Sequence, residues 1–350
     1  MGRPVPDLGS ALEDRHRILE GISRIACEIF GRCANVRSVS VDRLERRLLR
    51  YSVDVDSGQP WLVIGKVYGT AEEGQRGFDA MRRLWQGGFA ARPPVSVRIP
   101  QAYSYLADLR LLLMEHAPGE TLRTLVKRKL AGAGEMRSFA AALAKLHRSP
   151  LDAGEPFGVE RHLAIRCAGL HSALAEAFPE LRDRVRRIVD TARELEVHGD
   201  SVRLVHGDFH LGQIHVHGPD AWILDLDPLH NGDPAYDLAM VFVMLKHLEQ
   251  RTRDAAYVRS LRDAFLAAYL AETGEELAAR VPLHMALIHL KRACKRFRWQ
   301  DEPGWPDIVR RQIDEGAACM EAAVRLVTVP RSIGAVAGLA GIYDSCPATV

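Results

Sequence analysis

The segment 206–239, HGDFHLGQIHVHGPDAWILDLDPLHNGDPAYDLA, holds the polar residues whose types and spacing best fit chemistry. Asp208 lies in a polar loop, Gln213 follows five residues later, and Asp225 comes after a short hairpin. Magnesium prefers oxygen ligands and usually takes one or two from protein, leaving the rest to water and phosphates. Asp225 offers a charged oxygen and Gln213 a neutral one, while Asp208 could orient a hydroxyl group and accept its proton. The pattern predicts a site for a hydroxyl nucleophile beside a magnesium-bound triphosphate.

A predicted β-hairpin positions two of these residues. Its arms, Ile214–His217 and Ala221–Leu224, are rich in β-formers and flank the turn sequence GPD at 218–220. If the arms pair around that turn, Gln213 faces Asp225 with their Cβ atoms roughly 5 Å apart, close enough to share one cation. A shift of one residue in the register would change this pairing, so the register stays open.

These motifs resemble a known family. HGDFHLGQ, followed by ILDLD and GDPAYDLA, resembles the catalytic region of aminoglycoside phosphotransferases and choline kinases, which are protein-kinase-like kinases of small molecules. The resemblance implies Asp208 as catalytic base, His206 as the residue that holds the catalytic loop, and Gln213 and Asp225 as ligands of Mg²⁺. The chain departs from the family at Gln213, where Asn is usual. HGD-x-HLGQ is also similar to a variant in bacterial maltose kinases, which hints at a sugar substrate.

Lys66 is the residue of interest in the N-terminal part. It lies in the apolar run LVIGKVY, where an unpaired buried ammonium group would be costly. Taken alone, it could equally extend from an edge strand into solvent. The resemblance instead assigns Lys66 to the phosphates of ATP. Its acidic partner stays open, and the candidates are Glu72, Glu73 and Asp79.

Other motif residues receive supporting roles. LLLMEHAPG at 111–119 resembles the hinge between two lobes, which places backbone groups near Glu115 and Ala117 against adenine. Without the resemblance, the same residues would be an interior strand and a surface turn. Asp233 before a proline is a helix N-cap pattern, and we assign Asp233 and Asp237 to bracing the catalytic loop. Asp227 could be an auxiliary metal carboxylate or a surface acid.

The elements predict an α+β, two-lobed, protein-kinase-like fold. An amphipathic helix ends at Gly31, strands follow at Leu48–Val55, Trp61–Tyr68, 95–99 and Leu109–Glu115, and a helical pattern runs through 78–85. After residue 119 the pattern becomes mostly helical, with Phe139, Leu143 and Leu146 on one buried face. We expect an N-lobe at 1–115, a helical C-lobe with the acceptor site at 116–330, and a tail at 331–350.

Composition narrows the function classes. The 350 residues are 47% hydrophobic, enough for a large core or two lobes. A net charge of +2 does not suggest a general polyanion binder, and we expect no nucleic-acid partner. No apolar run is long enough for a membrane span. Six scattered cysteines without CxxC spacing, and no signal-peptide pattern, predict reduced thiols in the cytoplasm.

Three other interpretations remain. His206, His210, His215 and His217 could form a metal site for hydrolysis. A pseudokinase is possible because of the change at Gln213. The helix around KRACKRFRW, with an apolar stripe and a solvent face of Lys291, Lys295 and Arg298, could border the acceptor pocket and favour a neutral or anionic acceptor. The preferred prediction is transfer of the γ-phosphate of ATP, with Mg²⁺, to a hydroxyl of a small molecule such as a sugar, amino alcohol or aminoglycoside.

Overall fold

The computed structural model describes residues 14–31, 35–55, 60–90, 97–196, 199–252 and 254–328. Its strands are β1 (Val36–Glu45), β2 (Leu48–Val55), β3 (Trp61–Val67), β4 (Val97–Arg98), β5 (Ala102–Leu106), β6 (Leu111–Glu115), β7 (Glu120–Thr121), β8 (Arg203–Val205), β9 (Ile214–His217), β10 (Asp220–Ile223) and β11 (His230–Gly232). Its longer helices are α1 (Arg15–Phe30), α2 (Ala71–Leu84), α3 (Leu122–Lys127), α4 (Ala133–His147), α5 (His171–Ala177), α6 (Arg182–Glu194), α7 (Ala235–Thr252), α8 (Ala255–Thr273), α9 (Val281–Trp299) and α10 (Trp305–Thr328). Over these residues, no helix has both the length and the apolar character needed to cross a membrane.

By contacts between residues, the chain forms two compact units. The first contains the described residues up to Glu120 together with His215–Asp227, and the second contains 121–214 and the described residues from Pro228 onwards. The boundaries expected from sequence, at 115/116 and 330/331, stay predictions, and the tail at 331–350 lies outside the described residues.

The first unit contains an antiparallel sheet with the strand order β1-β2-β3-β6-β5. In β2, alternate residues are buried, as a strand with one covered face requires. Ile18, Ile22 and Ile25 of α1 join Leu49 and Val53 in the core on that face. The helix ends where sequence predicts, because Gly31 follows it at φ 99° and donates its N–H to the carbonyl of Cys27. The predicted strands β2, β3 and β6 are confirmed.

Two strands of this sheet were not expected from sequence. β1 is an edge strand whose side chains are mostly exposed, and its sequence VRSVSVDRLE alternates apolar and polar residues only around Val39 and Val41. β5 is short and only its first residue, Ala102, is fully buried. Neither strand has the regular alternation of buried and exposed residues that marks a half-buried strand.

A second sheet of the first unit contains the predicted hairpin. β9 and β10 are neighbours, and β10 pairs in parallel with β4 through Ala221–Val97 and Trp222–Arg98. The first arm has the predicted bounds, and the second begins and ends one residue earlier than expected. The hairpin itself is therefore confirmed.

The helical unit is organised around stacked aromatic rings. Phe139, Leu143 and Leu146 of α4 are fully buried, as the helical period predicts. The Phe139 ring stacks on Phe209 at 4.7 Å between centroids and lies 5.0 Å from the ring of Phe265. Since Phe209 belongs to the loop 206–213, this stack fixes the loop to the core of the unit.

Candidate active site

Lys66 forms a cluster with two carboxylates of its own unit. β3 is the central strand of the five-stranded sheet, and Lys66 lies between Leu48 on β2 and Leu112 on β6. The alternative of an edge-strand lysine in solvent is therefore wrong, and its side chain is only 13% exposed. Its ammonium nitrogen lies 2.7 Å from Asp225 Oδ1 and 2.8 Å from Asp227 Oδ2. We call Lys66, Asp225 and Asp227 the lysine–carboxylate cluster.

The charges of this cluster stabilise one another. Burial lowers the pKa of Lys66, but the two carboxylates outweigh it, so the pKa lies above its usual value. Tyr68 donates its hydroxyl hydrogen to Asp227 Oδ1 at 2.8 Å, and its ring lies 5.5 Å from the Lys66 ammonium. The acidic partner of Lys66 is thus this pair and none of Glu72, Glu73 or Asp79. Glu73 instead donates its backbone N–H to the N-cap Thr70 of α2.

The carboxylate oxygens of the lysine–carboxylate cluster are suitable ligands for a hard divalent cation. Asp225 and Asp227 are 39% and 37% exposed and offer only oxygen atoms, the ligands that Mg²⁺ prefers. Asp225 has φ 54°, a left-handed conformation that is uncommon outside glycine and recurs at functional sites. Gln213 lies just before β9 and donates its backbone N–H to the carbonyl of His210 at 2.8 Å. Its sharing of one cation with Asp225 stays a prediction.

The predicted hinge follows β6. The N–H of Glu115 donates to the carbonyl of Gln101 at 2.9 Å, and its carboxylate accepts the N–H of Gln101 at 3.0 Å. The carbonyl of Ala117 accepts a hydrogen bond from His215 Nδ1 at 3.2 Å. One backbone group of each predicted hinge residue is therefore already in use within the protein.

In the second unit, a buried carboxylate holds the loop 206–213 at its start. Asp237, which is fully buried, accepts the backbone N–H of His206 at 2.7 Å and that of Gly207 at 2.9 Å. His147 Nε2 lies 3.1 Å from the same carboxylate, and its Nδ1 bonds to Tyr269. Asp237 therefore braces the loop, as predicted from sequence.

Gly207 has to be glycine. Its φ is +81°, and a Cβ there would come within 2.6–2.8 Å of the His230 ring and the carbonyl of Pro228. His206 beside it is fully buried, with its ring against Phe209 at 5.5 Å between centroids. These contacts fit the supporting role that the resemblance implies for His206.

Asp208 is the exposed carboxylate of this loop. Its side chain is 35% exposed, and two basic groups lie just outside hydrogen-bonding distance. Lys291 Nζ is 3.8 Å from Oδ1, and His210 Nε2 is 3.9 Å from Oδ2. Asp208 thus combines a fixed backbone with a carboxylate that remains accessible, which is what a general base needs.

His210 presents a defined tautomer to Asp208. Its Nδ1 accepts the backbone N–H of Gly212 at 3.0 Å, so Nε2 carries the proton when the ring is neutral. Burial lowers the pKa of His210, and Arg123 lowers it further, although Asp208 opposes both. A neutral ring therefore directs an N–H towards Asp208.

Lys291 was missed by the sequence interpretation, which placed it on a solvent face. Burial lowers the pKa of Lys291, and Asp208 opposes this shift. A signal was present, because Lys291 lies four residues after Leu287 and three before Cys294, both buried. Lys295 and Arg298 are exposed, as expected.

The histidines do not form a metal centre in the described part of the chain. No group of three or more His, Cys, Asp or Glu residues there has a metal-binding arrangement. His215 bonds to the Ala117 carbonyl and His217 is exposed, whereas His206 and His210 belong to the loop 206–213. A set of one glutamine and one aspartate is not such a group, so the finding does not bear on the predicted Mg²⁺ ligands.

Three solved structures share this fold. The choline kinase from Cryptosporidium parvum Iowa II has a TM-score of 0.59 at 13% identity, over 90% of this chain and 98% of its own. The amicoumacin kinase hAmiN, in complex with AMP-PNP, Ca²⁺ and Ami, has a TM-score of 0.56 at 14% identity, with 87% and 93% covered. APH(2")-IIa, in a ternary complex with streptomycin and ATP, has a TM-score of 0.55 at 14% identity, with 87% and 98% covered. The predicted α+β, protein-kinase-like fold is confirmed.

The family follows from a match along the chain. The model of the APH family, described as the phosphotransferase enzyme family, matches residues 49–281. This range includes β3, the catalytic loop and the hairpin, and it spans more than half of the chain. The chain belongs to the APH phosphotransferase enzyme family, and the predicted class of small-molecule kinase is confirmed.

Proposed function

We propose that this enzyme transfers the γ-phosphate of ATP to a hydroxyl group of a small molecule. The observation that supports this most directly is Asp208, an accessible carboxylate on a loop whose backbone is fixed by the buried Asp237. Phosphoryl transfer needs mostly positioning and charge neutralisation, so few groups suffice. Asp208 orients the acceptor hydroxyl and takes its proton, and His206 supports the loop.

Lys66, Asp225 and Gln213 act on the nucleotide side of the reaction. Lys66 exchanges its carboxylate partners for phosphate oxygens, which releases Asp225 and Asp227 as oxygen ligands. Gln213 adds a neutral carbonyl oxygen. A magnesium ion bound by these ligands would neutralise phosphate charge. The carbonyl of Glu115 and the N–H of Ala117 bind adenine, because the other backbone group of each residue is already hydrogen-bonded.

The charges around Asp208 bear on the acceptor. Lys291 approaches Asp208, and among the described residues no second carboxylate lies within ion-pair distance of Lys291. A polycationic aminoglycoside would need acids at this place, whereas a hydroxyl on a neutral or anionic molecule would not. We therefore favour sugars and other neutral or anionic alcohols over aminoglycosides and amino alcohols.

The test is transfer of labelled γ-phosphate from Mg-ATP to pooled sugars, amino alcohols, aminoglycosides and nucleosides. Asp208→Asn serves as control, because it keeps the size of the side chain and removes the base. A phosphorylated product made only by the wild type supports the proposal and gives the acceptor class. Folded protein that binds no nucleotide would contradict it. Mg-ATP binding without product in any pool would favour the pseudokinase alternative.

The proposed role of Asp225 as a magnesium ligand has a separate test. Asp225→Asn should weaken magnesium-dependent nucleotide binding, measured by calorimetry with and without Mg²⁺. Unchanged binding would remove Asp225 from the set of ligands. The exposed Asp183→Asn, 92% exposed on α6, is the matched control for loss of one carboxylate.

A further inference from the structure

A second concave site lies on the helical unit, between α7, α9 and α10. It is a cavity of about 390 Å³. Lysine and arginine side chains from all three helices line it, namely Lys246, Arg251, Arg292, Lys295, Arg296 and Arg311, against the two carboxylates of Glu302 and Glu315. Neither Asp208 nor Lys291 lines it, although Lys295, one helical turn after Lys291, does.

Most of these cations have no carboxylate partner. Arg296 donates to Asp301 at 2.6 Å and to Glu302 at 2.8 Å, and Lys246 lies 3.6 Å from Glu249. Within the part of the chain that the structure describes, Arg251, Arg292, Lys295 and Arg311 have no acid within ion-pair distance. The cavity therefore carries an excess of positive charge that its own wall does not neutralise.

The remaining acid of the cavity is already engaged. Glu315 lies 3.2 Å from His289 and accepts a hydrogen bond from Gln312 at 3.1 Å. Its pKa is lowered against the effect of burial by His289 first and then by Arg292 and Arg311. The single carboxylate of Glu315 is therefore shared between His289, which it contacts, and the more distant guanidinium groups of Arg292 and Arg311.

The cations also repel one another. Burial lowers the pKa of Arg292, Glu315 raises it, and Arg311, Arg296 and Arg251 lower it further. His247, which faces the same cavity, has a pKa lowered by burial and then by Arg292, Arg251 and Arg311. Concentrating like charges in a partly desolvated cavity destabilises the fold, and a bound anion would relieve that cost.

We propose that this cavity binds a small polyanion with two or more phosphoryl groups, separately from the catalytic loop. The four cations without a carboxylate partner can meet several negative charges, and planar guanidinium groups bind phosphate oxygens in pairs. Small-molecule sites typically have roughly 300–1,000 Å³, so the cavity can hold a compact polyphosphate. The concave wall and limited size favour a small molecule over a nucleic acid, which would contact a broad surface.

The experiment measures binding of inorganic tripolyphosphate to the full chain by calorimetry, without nucleotide or metal and at low ionic strength. The main variant is Arg292→Gln with Arg311→Gln. Arg184→Gln with Arg187→Gln removes the same charge outside the cavity, where these arginines pair with Asp314 and Glu321. A third variant, Lys66→Gln, shows whether tripolyphosphate binds at the lysine–carboxylate cluster instead, because such binding would be lost in it.

The expected result is one bound tripolyphosphate in the wild type, in Lys66→Gln and in the Arg184/Arg187 variant. The Arg292/Arg311 variant should bind at least about tenfold more weakly, which corresponds to 1.4 kcal/mol. Equal affinity in this variant and the wild type would overturn the proposal. So would no binding by the wild type, or loss of binding only in Lys66→Gln.

Two additions keep the test decisive if the double variant folds poorly. Arg251→Gln with Lys295→Gln changes only exposed side chains of the same cavity and should also weaken binding. Tripolyphosphate should raise the melting temperature of the wild type and not that of either cavity variant. Sulfate at equal ionic strength should bind more weakly, and equal affinity for sulfate would overturn the assignment to a polyphosphate.

Discussion

Asp208 and Asp237 are two carboxylates of the helical unit with opposite surroundings. Asp237 is fully buried, and both of its oxygens accept backbone N–H groups, from His206 and Gly207, while His147 adds a third contact. Asp208 is 35% exposed, and its nearest basic groups stay 3.8 and 3.9 Å away.

We expect this difference in surroundings to separate a structural acid, Asp237, from a reactive one, Asp208. A fully buried carboxylate whose two oxygens are both hydrogen-bonded is strongly held and is not accessible to a substrate. A carboxylate with unfilled capacity on a fixed backbone can accept a proton without rearrangement of the loop. Removing Asp208 should therefore affect turnover, and removing Asp237 should affect stability.

The largest effect is expected for Asp208→Asn. Loss of a general base should lower kcat by roughly 10²–10⁴-fold, with nucleotide affinity and melting temperature unchanged. Phosphate transfer to the acceptor found in the pooled assay measures kcat, and calorimetry measures the affinity for ATP. A variant with near-normal turnover would remove Asp208 from the role of base. Lost ATP binding would instead indicate a structural role like that of Asp237.

Asp237→Asn should instead lower the stability of the fold. The amide would place a donor against one of the two backbone N–H groups and leave His147 without its charged partner, which costs about 3–5 kcal/mol of unfolding free energy. Urea unfolding followed by circular dichroism measures it, with the exposed Asp183→Asn as control. If Asp237→Asn unfolds with the same midpoint as the wild type, the bracing role is wrong.

The charge on Asp237 predicts a pH dependence. Burial raises its pKa, but hydrogen bonding from His147 and the charges and N–H group around it outweigh this, so the folded pKa lies below the usual value. A depressed carboxyl pKa contributes stability above the unfolded pKa of about 3.9, and this contribution is lost as pH falls through the folded pKa. The gap in unfolding free energy between wild type and Asp237→Asn should therefore shrink below about pH 4. A gap that is constant from pH 7 to 3 would contradict the role of the charge.

The fold was largely predictable because its main elements carry strong periods. The alternation in β2, the turn at 218–220 and the buried face of α4 each depend on local sequence. β1 was missed because its side chains are mostly exposed and its apolar alternation extends over only a few residues. Gly74 lies near the start of α2, where a glycine weakens the helical pattern, yet a Cβ there would collide with the Tyr105 ring, so this glycine serves packing within the unit. Such tertiary contacts have no local signal.

The site was predictable in its residue types and only partly in its contacts. Asp208, Gln213 and Asp225 stand out by spacing, because loop polars at fixed intervals can be recognised along the chain. The partners of Lys66 could not be predicted from the sequence, because Asp225 and Asp227 are separated from it by 159 positions or more. Lys291 could have been found from the helical period of α9, because it shares the buried face of Leu287.

The smallest effect is expected for Lys291→Met, which tests how open Asp208 is. The methionine keeps most of the buried side chain and removes the ammonium group that lies 3.8 Å from Oδ1. With a neutral or anionic acceptor, kcat should fall by a factor of roughly 5–30, which corresponds to an activation free energy about 1–2 kcal/mol higher. Lys291→Arg should restore part of it, and Arg298→Met, at an exposed position of the same helix, should change nothing. If Lys291→Met lowers only the melting temperature and leaves kcat and KM unchanged, the lysine supports the fold and Asp208 acts without it.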